Sequence, residues 1–521
     1  MPLRTLVSCL VLAAAVLPLG AQQPLTLQDA IALAQERGLA AQAARAAREA
    51  GRYRHRAFRL RLLPQLSLGS ALPTYNYNRS IIPVLQPDGS TLFRPQDQTN
   101  TTLGLTLSQR VPLTGGALFV SSSLARYAIS GPDAIETWSS TPVAIGLRQD
   151  VLRPNVAAWD RREDAVQAEL DERTYLETLE DIALETSERF FDVYAARLAL
   201  DNAVTNVAVN DTLYRLNTGR LEVGKIGEND LLQSELALLR ARTSLEAARL
   251  EYDRATAALR LALNLPAGTP LEVAASATVP ELEADTARAV AEALRNRAVV
   301  SDVALQDVMA RRRVTEAKLS GGFGATVQAS LGFNATASQA SSVYRNLLEA
   351  RQFAVSVQVP LWQWGAHGSD VRAAEANRAG TTSRSQATLA QIGQDAHFAA
   401  LGLSQARRTV ALVAKADTVA AKRFEVAYNR YVIGRITIDN LYIGQNEKDQ
   451  ARAQFVQGLR NYWHAYYWLR RVTLFDFTKG QPIRSLRVST PTRPSGRGDS
   501  GRSGGRKSRA RRAGRGPPPT G

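Results

Sequence analysis

Cysteine and long apolar runs are scarce in this sequence, and each scarcity excludes a class of protein. The single cysteine among 521 residues is Cys9. It lies in a segment typical of a secretory signal, with Arg4 before an apolar run and Gly20-Ala21 after it. Loss of residues 1–21 as a signal peptide would leave no disulfide and no thiol chemistry. After residue 22 no apolar run approaches the roughly 20 residues of a membrane-spanning helix, so we expect an exported protein that no helix holds in a bilayer.

Proline is absent between Pro154 and Pro266, and the only glycines there are Gly219, Gly224 and Gly227. Proline breaks helix interiors and glycine weakens them. The stretch therefore predicts two long helices joined at one tip. At about 1.5 Å per residue the first arm would extend roughly 95 Å, which exceeds the depth of an ordinary globular core.

The sequence contains an internal duplication with an offset of 210 residues. Adding 210 maps Val143-Ala-Ile-Gly-Leu-Arg-Gln onto Phe353-Ala-Val-Ser-Val-Gln-Val. The same shift maps Gly224-Lys-Ile-Gly-Glu-Asn-Asp-Leu-Leu onto Gly434-Arg-Ile-Thr-Ile-Asp-Asn-Leu-Tyr. An alternating apolar strand followed by a very long helical hairpin is therefore predicted to occur twice.

The predicted organisation follows from these repeats. The first repeat covers 22–265, with a leading helix, strands within about 64–151 and a helical hairpin over 154–265. A proline-containing linker covers 266–284. The second repeat covers 285–477, with a leading helix, strands within about 325–361 and a hairpin over 366–475. Prolines and turn residues predict loops over 73–100 and 128–140.

The positive charge is concentrated at the C-terminus. The formal net charge is +16, and +10 of it lies from residue 484 onward, among glycine, serine and proline. The rest of the chain is only mildly basic, so its charge does not indicate a nucleic-acid partner. Residues 478–521 cannot bury a core and are predicted to be disordered.

The predicted strands are nine or ten residues long and alternate apolar with small or polar residues. That pattern is typical of strands that cross an outer membrane, although it also fits a small antiparallel sheet in a soluble domain. Unpaired strand edges cannot lie in lipid, and four to six strands are too few for a barrel of about eight or more. Closure therefore requires several chains in a cyclic ring. The helices would extend such a ring as a duct, whereas the alternative is a coiled-coil spacer.

Over about residues 24–476 the chain resembles the TolC-type outer-membrane efflux proteins. The resemblance rests on an ordered set of motifs, in addition to the duplication. They are Leu25-Thr-Leu-Gln-Asp-Ala-Ile-Ala-Leu-Ala, Gln149-Asp-Val-Leu-Arg-Pro154, Val223-Gly-Lys-Ile-Gly-Glu-Asn-Asp-Leu, Val359-Pro-Leu-Trp-Gln-Trp-Gly365 and Tyr431-Val-Ile-Gly-Arg-Ile-Thr-Ile-Asp-Asn-Leu.

The resemblance implies a membrane β-barrel continued by a long α-helical coiled-coil barrel, built by a homotrimer that shares one barrel. We expect twelve strands, with eighteen possible, because an apparent extra hairpin at about 116–151 follows a motif that resembles a strand-to-helix exit. The implied location is the outer membrane, with the helical tunnel in the periplasm.

The implied function is export of small molecules such as drugs, metabolites or metals. The expected partners are a periplasmic adaptor, an inner-membrane transporter of the RND, ABC or MFS type, and outer-membrane lipid. No nucleic acid and no cofactor are expected. The alternatives are a channel for type I protein secretion and a non-conducting envelope spacer.

Asp230, Asp439 and Asn440 follow the tip glycines closely and allow two interpretations. They could cap helix N-termini, or they could line the acidic aperture that the resemblance implies. Asp230 and Asn440 fall at the corresponding family positions, and Asp439 is one residue off.

Two further sets of residues have predicted roles. Trp362 and Trp364 follow a strand directly and are predicted to anchor at the membrane interface. The expected adaptor contacts are the two tip turns, Val223, Gly224, Lys225, Ile226, Ile433, Gly434, Arg435 and Ile436.

No enzyme is predicted. The four histidines, at positions 55, 367, 397 and 464, are isolated and lack metal-ligand spacing. No nucleophile motif is present, and Gly219 to Ile226 lacks the last residue and the preceding strand of a phosphate-binding loop. Neither a catalytic residue nor a metal site is therefore expected.

Overall fold

The computed structural model describes residues 24–85, 88–130, 134–275 and 279–483. Its two long helical hairpins agree with the proline-free stretches to within a few residues. The helices are α1 (Leu27–Arg37), α2 (Leu39–Arg61), α3 (Val156–Glu222), α4 (Glu228–Ala262), α5 (Thr286–Asn296), α6 (Ala298–Ser320), α7 (Ala366–Val432) and α8 (Ile438–Thr473).

The strands of the main sheet form an antiparallel meander in which each strand pairs with the next along the chain. They are β1 (Gln65–Leu85), β2 (Thr91–Val111), β3 (Gly116–Ser130), β4 (Ile135–Val151), β5 (Gly324–Ala337) and β6 (Leu348–Gln358). In the single chain, β1 and β6 are the two edges. A pair of two-residue strands, β7 (Phe475–Asp476) and β8 (Gln481–Pro482), follows α8.

Two predicted loops are wrong. Most of 73–100 belongs to β1 and β2, and most of 128–140 belongs to β3 and β4. The strands, with 11 to 21 residues, are also longer than the predicted nine or ten. The disordered tail was predicted to begin at 478, whereas residues 478–483 belong to the fold through β8. The predicted signal peptide and residues 484–521 lie outside the described residues.

The helix bounds reproduce the duplication with two different offsets. Adding 210 to the bounds of α3 gives those of α7, whereas adding 259 to those of α1 and α2 gives those of α5 and α6. The first half therefore carries 49 additional residues before its long helix. With the offset of 210, β3 and β4 overlie β5 and β6, so the additional element is the β1–β2 hairpin. The prediction that 116–151 is the extra hairpin is wrong.

The favoured interpretation of the extra hairpin, in which it lies outside a twelve-stranded barrel, also disagrees with the sheet. All six strands form one continuous sheet, and β3 pairs with β2 from Val111↔Gly116 to Asp97↔Ser130. The edge of β3 that a twelve-stranded arrangement would need is therefore occupied by β2.

The two faces of the sheet differ in chemistry. Directly opposed residues share a face, and the pairs Leu66↔Leu107, Val120↔Ile145 and Ile145↔Leu331 define an apolar face. Its exposed members are Leu66, Leu68, Leu103, Leu105, Leu107, Leu118, Val120, Val143, Ile145, Leu147, Leu331, Phe333, Phe353, Val355 and Val357. The opposite, polar face carries mostly small or polar residues, including Ser67, Gly104, Thr106, Ser121, Gly146, Ser330 and Ser356.

Four helices adjoin the sheet and contact one another in the order α2, α3, α6, α7. The helix α2 leads into β1, β4 leads into α3, α6 leads into β5, and β6 leads into α7. The sheet and the helical layer therefore have the same two flanks. One flank consists of α2 and β1, and the other consists of β6 and α7.

The largest apolar core lies midway along the long helices. Phe190 and Phe191 of α3 pack there with Leu259 of α4, Leu403 of α7 and Leu459 of α8. Three aromatic residues of α8, Tyr462, Tyr466 and Tyr467, are buried in this core.

A buried ion pair reinforces this core. Arg470 donates to both carboxylate oxygens of Glu180, each at 3.0 Å, and contacts Asp476 at 3.4 Å.

Among the described residues, none of the helices combines the length and the apolar character that crossing a membrane requires.

Candidate channel entrance at the helical hairpin tips

The two hairpin tips have the same backbone turn. In the first tip, the N–H of Gly224 donates to the carbonyl of Leu221 and that of Lys225 to Arg220, each at 2.8 Å. The second tip repeats both bonds at positions 210 higher, each at 2.9 Å. Gly224 and Gly434 have φ angles of 71° and 73°, a left-handed conformation that favours glycine. The two repeats therefore share even the individual backbone hydrogen bonds of their tips.

A polar contact fastens the tip of α7 to α3. The hydroxyl of Tyr431 donates to Oδ1 of Asn217 at 2.8 Å, and both residues are buried. The Arg220 guanidinium donates to the carbonyls of Tyr431 and Val432 at 3.2 and 3.1 Å. It also lies 5.1 Å from the centre of the Tyr431 ring, within the range of a cation–π interaction.

Apolar packing surrounds this contact, which we term the tip latch (Asn217, Arg220 and Tyr431). Tyr431 belongs to a small core cluster with Leu213, Ile438 and Leu441. The cluster joins α3, α7 and α8 close to the turns. Since α4 contributes no buried member to it, the second hairpin is held mainly through α3.

Asp230, Asp439 and Asn440 lie in the first turns of α4 and α8. The N-cap residues are Gly227 and Thr437, and neither helix start has a side-chain capping bond. The capping interpretation of these three residues is therefore wrong, although carboxylates in a first turn still interact favourably with the helix dipole.

The environments of the three residues differ. Asp230 is half-buried, whereas Asp439 and Asn440 are exposed. Asp439 accepts a hydrogen bond of 2.7 Å from Gln233 Nε2, and Asn440 donates to the Thr437 hydroxyl at 3.0 Å. The Asp439–Gln233 bond joins the first turn of α8 to α4, so the two hairpins contact each other near their tips.

The predicted adaptor-contact residues lie on the outside of the turns. Six of the eight are exposed, while Ile226 and Ile436 are half-buried. Val223 and Ile433 are 67% and 63% exposed, although both are large apolar residues. Both turns therefore expose a large apolar side chain at the equivalent position.

Trp362 and Trp364 lie at the other end of the long hairpin, between β6 and α7. Both are exposed, and their rings meet edge to face with centroids 5.2 Å apart. The structure therefore brings the two tryptophans together, where the apolar face of the sheet gives way to helices.

A polar groove of about 640 Å³ lies above the tips, between α3, α4 and α8. Asn202 and Asn206 each donate to the Asp449 carboxylate at 2.8 Å. Burial, together with the nearby Tyr431, raises the pKa of Tyr442 to about 12, so its hydroxyl stays protonated. The two hydrogen bonds to Asp449 join α3 to α8 across the groove.

Sequence reasoning missed the tip latch. Asn217 lies on the buried stripe of a helix, where an amide costs free energy unless it is hydrogen-bonded. That anomaly was the available signal. It could not identify Tyr431 as the partner, because 214 residues separate the two.

Comparison with known proteins identifies the fold. Neither a family model nor a curated protein matches the sequence. The crystal structure of the CmeC outer membrane channel of Campylobacter jejuni is 15% identical, with a TM-score of 0.63, and the match covers 87% of this chain and 88% of that chain. This chain has the TolC-type channel fold.

Two further TolC-type structures agree. The outer membrane protein VceC of Vibrio cholerae is 12% identical with a TM-score of 0.62, covering 88% of this chain and 97% of that chain. The open state of the MtrE outer membrane channel of Neisseria gonorrhoeae is 13% identical with a TM-score of 0.59, covering 86% and 88%. The match extends over most of each chain, so the hairpins and the sheet both belong to the shared fold.

Proposed function

We propose that this protein is an outer-membrane duct, in which three copies share one barrel and one helical tunnel. The duct exports small molecules from the periplasm or from an inner-membrane pump. The two-faced sheet is the observation that carries this proposal. Fifteen large apolar side chains are exposed on one face, while the opposite face is mostly small and polar.

Lipid is the solvent that such a sheet requires. An exposed apolar surface of this extent is unfavourable in water, but it matches the lipid-facing band of an outer-membrane strand. Trp362 and Trp364 at the end of this band are suited to anchoring at the membrane interface. The free edges at β1 and β6 must pair in lipid, so the sheet requires other copies of the chain.

The helical hairpins form the periplasmic part of the proposed duct. The helix α3 has 67 residues, about 100 Å at 1.5 Å per residue. The tips are the entrance, where Asp230 and Asp439 of three copies favour cations. The exposed turns around Val223 and Ile433 contact a periplasmic adaptor, which connects the duct to an inner-membrane transporter of the RND, ABC or MFS type. The solved structures with this fold are channels, which favours a duct over an enzyme.

Reconstitution tests the proposal. The mature chain in detergent is expected to be a heat-resistant trimer, to remain in membranes after carbonate extraction, and to conduct ions in planar bilayers. A non-conducting spacer would give no conductance, and a soluble sheet domain would be released by carbonate. Either result would exclude the duct.

A further inference from the structure

Within the part of the chain that the structure describes, the two flanks are unpartnered in a matching way. On one flank, the edge of β1 is free and α2 precedes it; on the other, the edge of β6 is free and α7 follows it. Since each helix is continuous with its strand, pairing β1 of one copy with β6 of another would also bring α2 beside α7. One docking event therefore covers the sheet edges and the helix sides together.

We propose that a second copy of this chain docks its β1–α2 flank on the β6–α7 flank, so that each copy contributes six strands. This inference rests on the proposed ring of three, whose barrel then has eighteen strands. The strand directions permit it. The meander contains an even number of antiparallel strands, so β6 and the β1 of the next copy are antiparallel as well.

The register within the sheet predicts how the flanks meet. Directly opposed residues lead from Gln65 in β1 through Ser108, Phe119, Gly146 and Ser330 to Gln352 in β6. Beyond Gln352, β6 continues for six residues to Gln358. If the next β1 begins level with the end of β6, the stagger is six residues over six strand spacings. With about 3.3 Å per residue and about 4.8 Å between strands, the tilt is roughly 35°, as in outer-membrane strands.

This register also aligns the faces. Gln65 opposite Gln358 places Ser67 opposite Ser356, both on the polar face. It places Leu66 opposite Val357 on the apolar face. A shift by one residue would set apolar residues against polar ones, so the chemistry of both faces supports this pairing.

The helix sides are compatible with close approach. Near the sheet, α2 exposes Ala46, Ala50, Tyr53 and Leu60 at helical spacing, and α7 exposes Ser369, Ala373, Ala376 and Ser383. Residues three or four apart share a helix face. Exposed charged residues share these faces at the same spacing, Glu49 and Arg56 on α2 and Arg372 on α7. Small residues let two helices approach closely, and the bulky Tyr53 and Leu60 can pack over the small side chains of α7.

The six strands of one copy also occupy about the same share of the ring's circumference as its four helices. At a tilt of roughly 35°, six strands span about 35 Å of circumference per copy. Four helices at 8–10 Å spacing span about 32–40 Å. Four strands would span only about 23 Å. The β1–β2 hairpin therefore makes the barrel as wide as the tunnel, and cargo that passes the tunnel meets no narrower barrel wall.

Disulfide trapping in the full-length protein tests the docking. In a Cys9→Ser background, which contains no other cysteine, the Ser67→Cys/Ser356→Cys variant is oxidised in native membranes. Directly opposed strand residues lie about 4.5–5.5 Å apart, a distance that a disulfide spans. Within one copy the two positions are five strand spacings apart, about 24 Å. A bond can therefore form only between copies, and we expect covalent dimers and trimers.

A matched pair separates six strands per copy from four. The Ala117→Cys/Gln358→Cys variant tests four strands per copy. Ala117 is level with Arg148, Gln328 and Ala354. The same stagger of one residue per strand would therefore place Ala117 opposite Gln358, on the polar face, if only four strands entered the barrel. We expect at least about five-fold more cross-linked product for Ser67/Ser356 than for Ala117/Gln358 or any single cysteine. The reverse order, or no product from either pair, would overturn the six-strand docking.

Conductance of the same samples distinguishes the two proposals. Covalent trimers through Ser67 and Ser356 without conductance would refute the duct but retain the docking. Conductance together with trapping through Ala117 would retain the duct and refute the docking.

Discussion

The hydroxyl of Tyr431 lies 2.8 Å from Oδ1 of Asn217 and joins the tip of the second hairpin to the first. Both side chains are buried, so the bond is protected from exchange with water. Arg220 reinforces it from α3 by donating to the two last carbonyls of α7. The relative position of the hairpins at the proposed entrance therefore depends on three side chains.

Removing the Tyr431 hydroxyl is expected to loosen the entrance. Tyr431→Phe keeps the ring but leaves Oδ1 of the buried Asn217 without its partner, at a cost of about 1–3 kcal/mol. Single-channel conductance or open probability should rise in planar bilayers. Tyr428→Phe is the matched control, because Tyr428 packs against the same cluster. Equal conductance in both variants and the parent would show that the latch does not restrict the entrance.

Neutralising the tip carboxylates is expected to weaken cation preference. Asp230→Asn combined with Asp439→Asn removes six charges from a three-copy entrance while preserving side-chain size. Reversal potentials in a salt gradient should shift towards the non-selective value, and block by multivalent cations should weaken. Asp253→Asn, an exposed carboxylate of α4 far from the turn, should leave both unchanged. Unaltered selectivity in the double variant would place the carboxylates outside the ion path.

Breaking the buried ion pair is expected to destabilise the middle of the helical region. Glu180 is only 2% exposed, and Arg470→Met would leave its charge unpaired, at a cost of about 3–5 kcal/mol. Arg471→Met is a matched control, since Arg471 binds the half-exposed Asp181 and surface pairs contribute about 0–1 kcal/mol. Thermal unfolding in detergent measures both. Similar losses in the two variants would contradict the assignment.

Acidification is expected to weaken the same region through Asp476. Burial raises the pKa of Asp476, but hydrogen bonds from Thr478 and the Lys479 N–H, with the charge of Arg470, outweigh it and hold the pKa below its ordinary value. A depressed pKa means that the ionised carboxylate stabilises the fold above pH 3.8, and that this contribution is lost as pH falls further. Unfolding measured from pH 6 to pH 3 should show a smaller decline in Asp476→Asn than in the parent. Parallel declines would refute this.

The helical half of the fold could be predicted from the sequence, while much of the sheet could not. A long stretch without proline is almost sufficient to predict a long helical hairpin, because nothing within the stretch interrupts a helix. Prolines misled the prediction for 73–100. Pro73 lies at a register shift between Ala71 and Thr74, and Pro95 pairs with Ile81 beyond the last pair of β2 with β3. Both are places where a strand tolerates a missing N–H.

The candidate site was predictable in position but not in its contacts. The repeated glycines predict that the tips lie at Gly224 and Gly434. Each turn needs a residue in the left-handed backbone conformation, which glycine adopts readily. The interpretation of Asp230 and Asp439 as helix caps was wrong by a few residues, because Gly227 and Thr437 occupy the N-cap positions. The tip latch depends on how two helices pack, and a single sequence does not specify that packing.

The insertion of β1 and β2 as a hairpin restricts how such a protein can change its calibre during evolution. A single inserted strand would reverse the direction of the chain and deliver α2 to the opposite side of the membrane. Strands can therefore be gained or lost only in pairs, and in the proposed ring of three copies each pair adds or removes six strands. No intermediate strand number is possible between two such barrels. The barrel diameters of related channels should therefore differ in discrete steps.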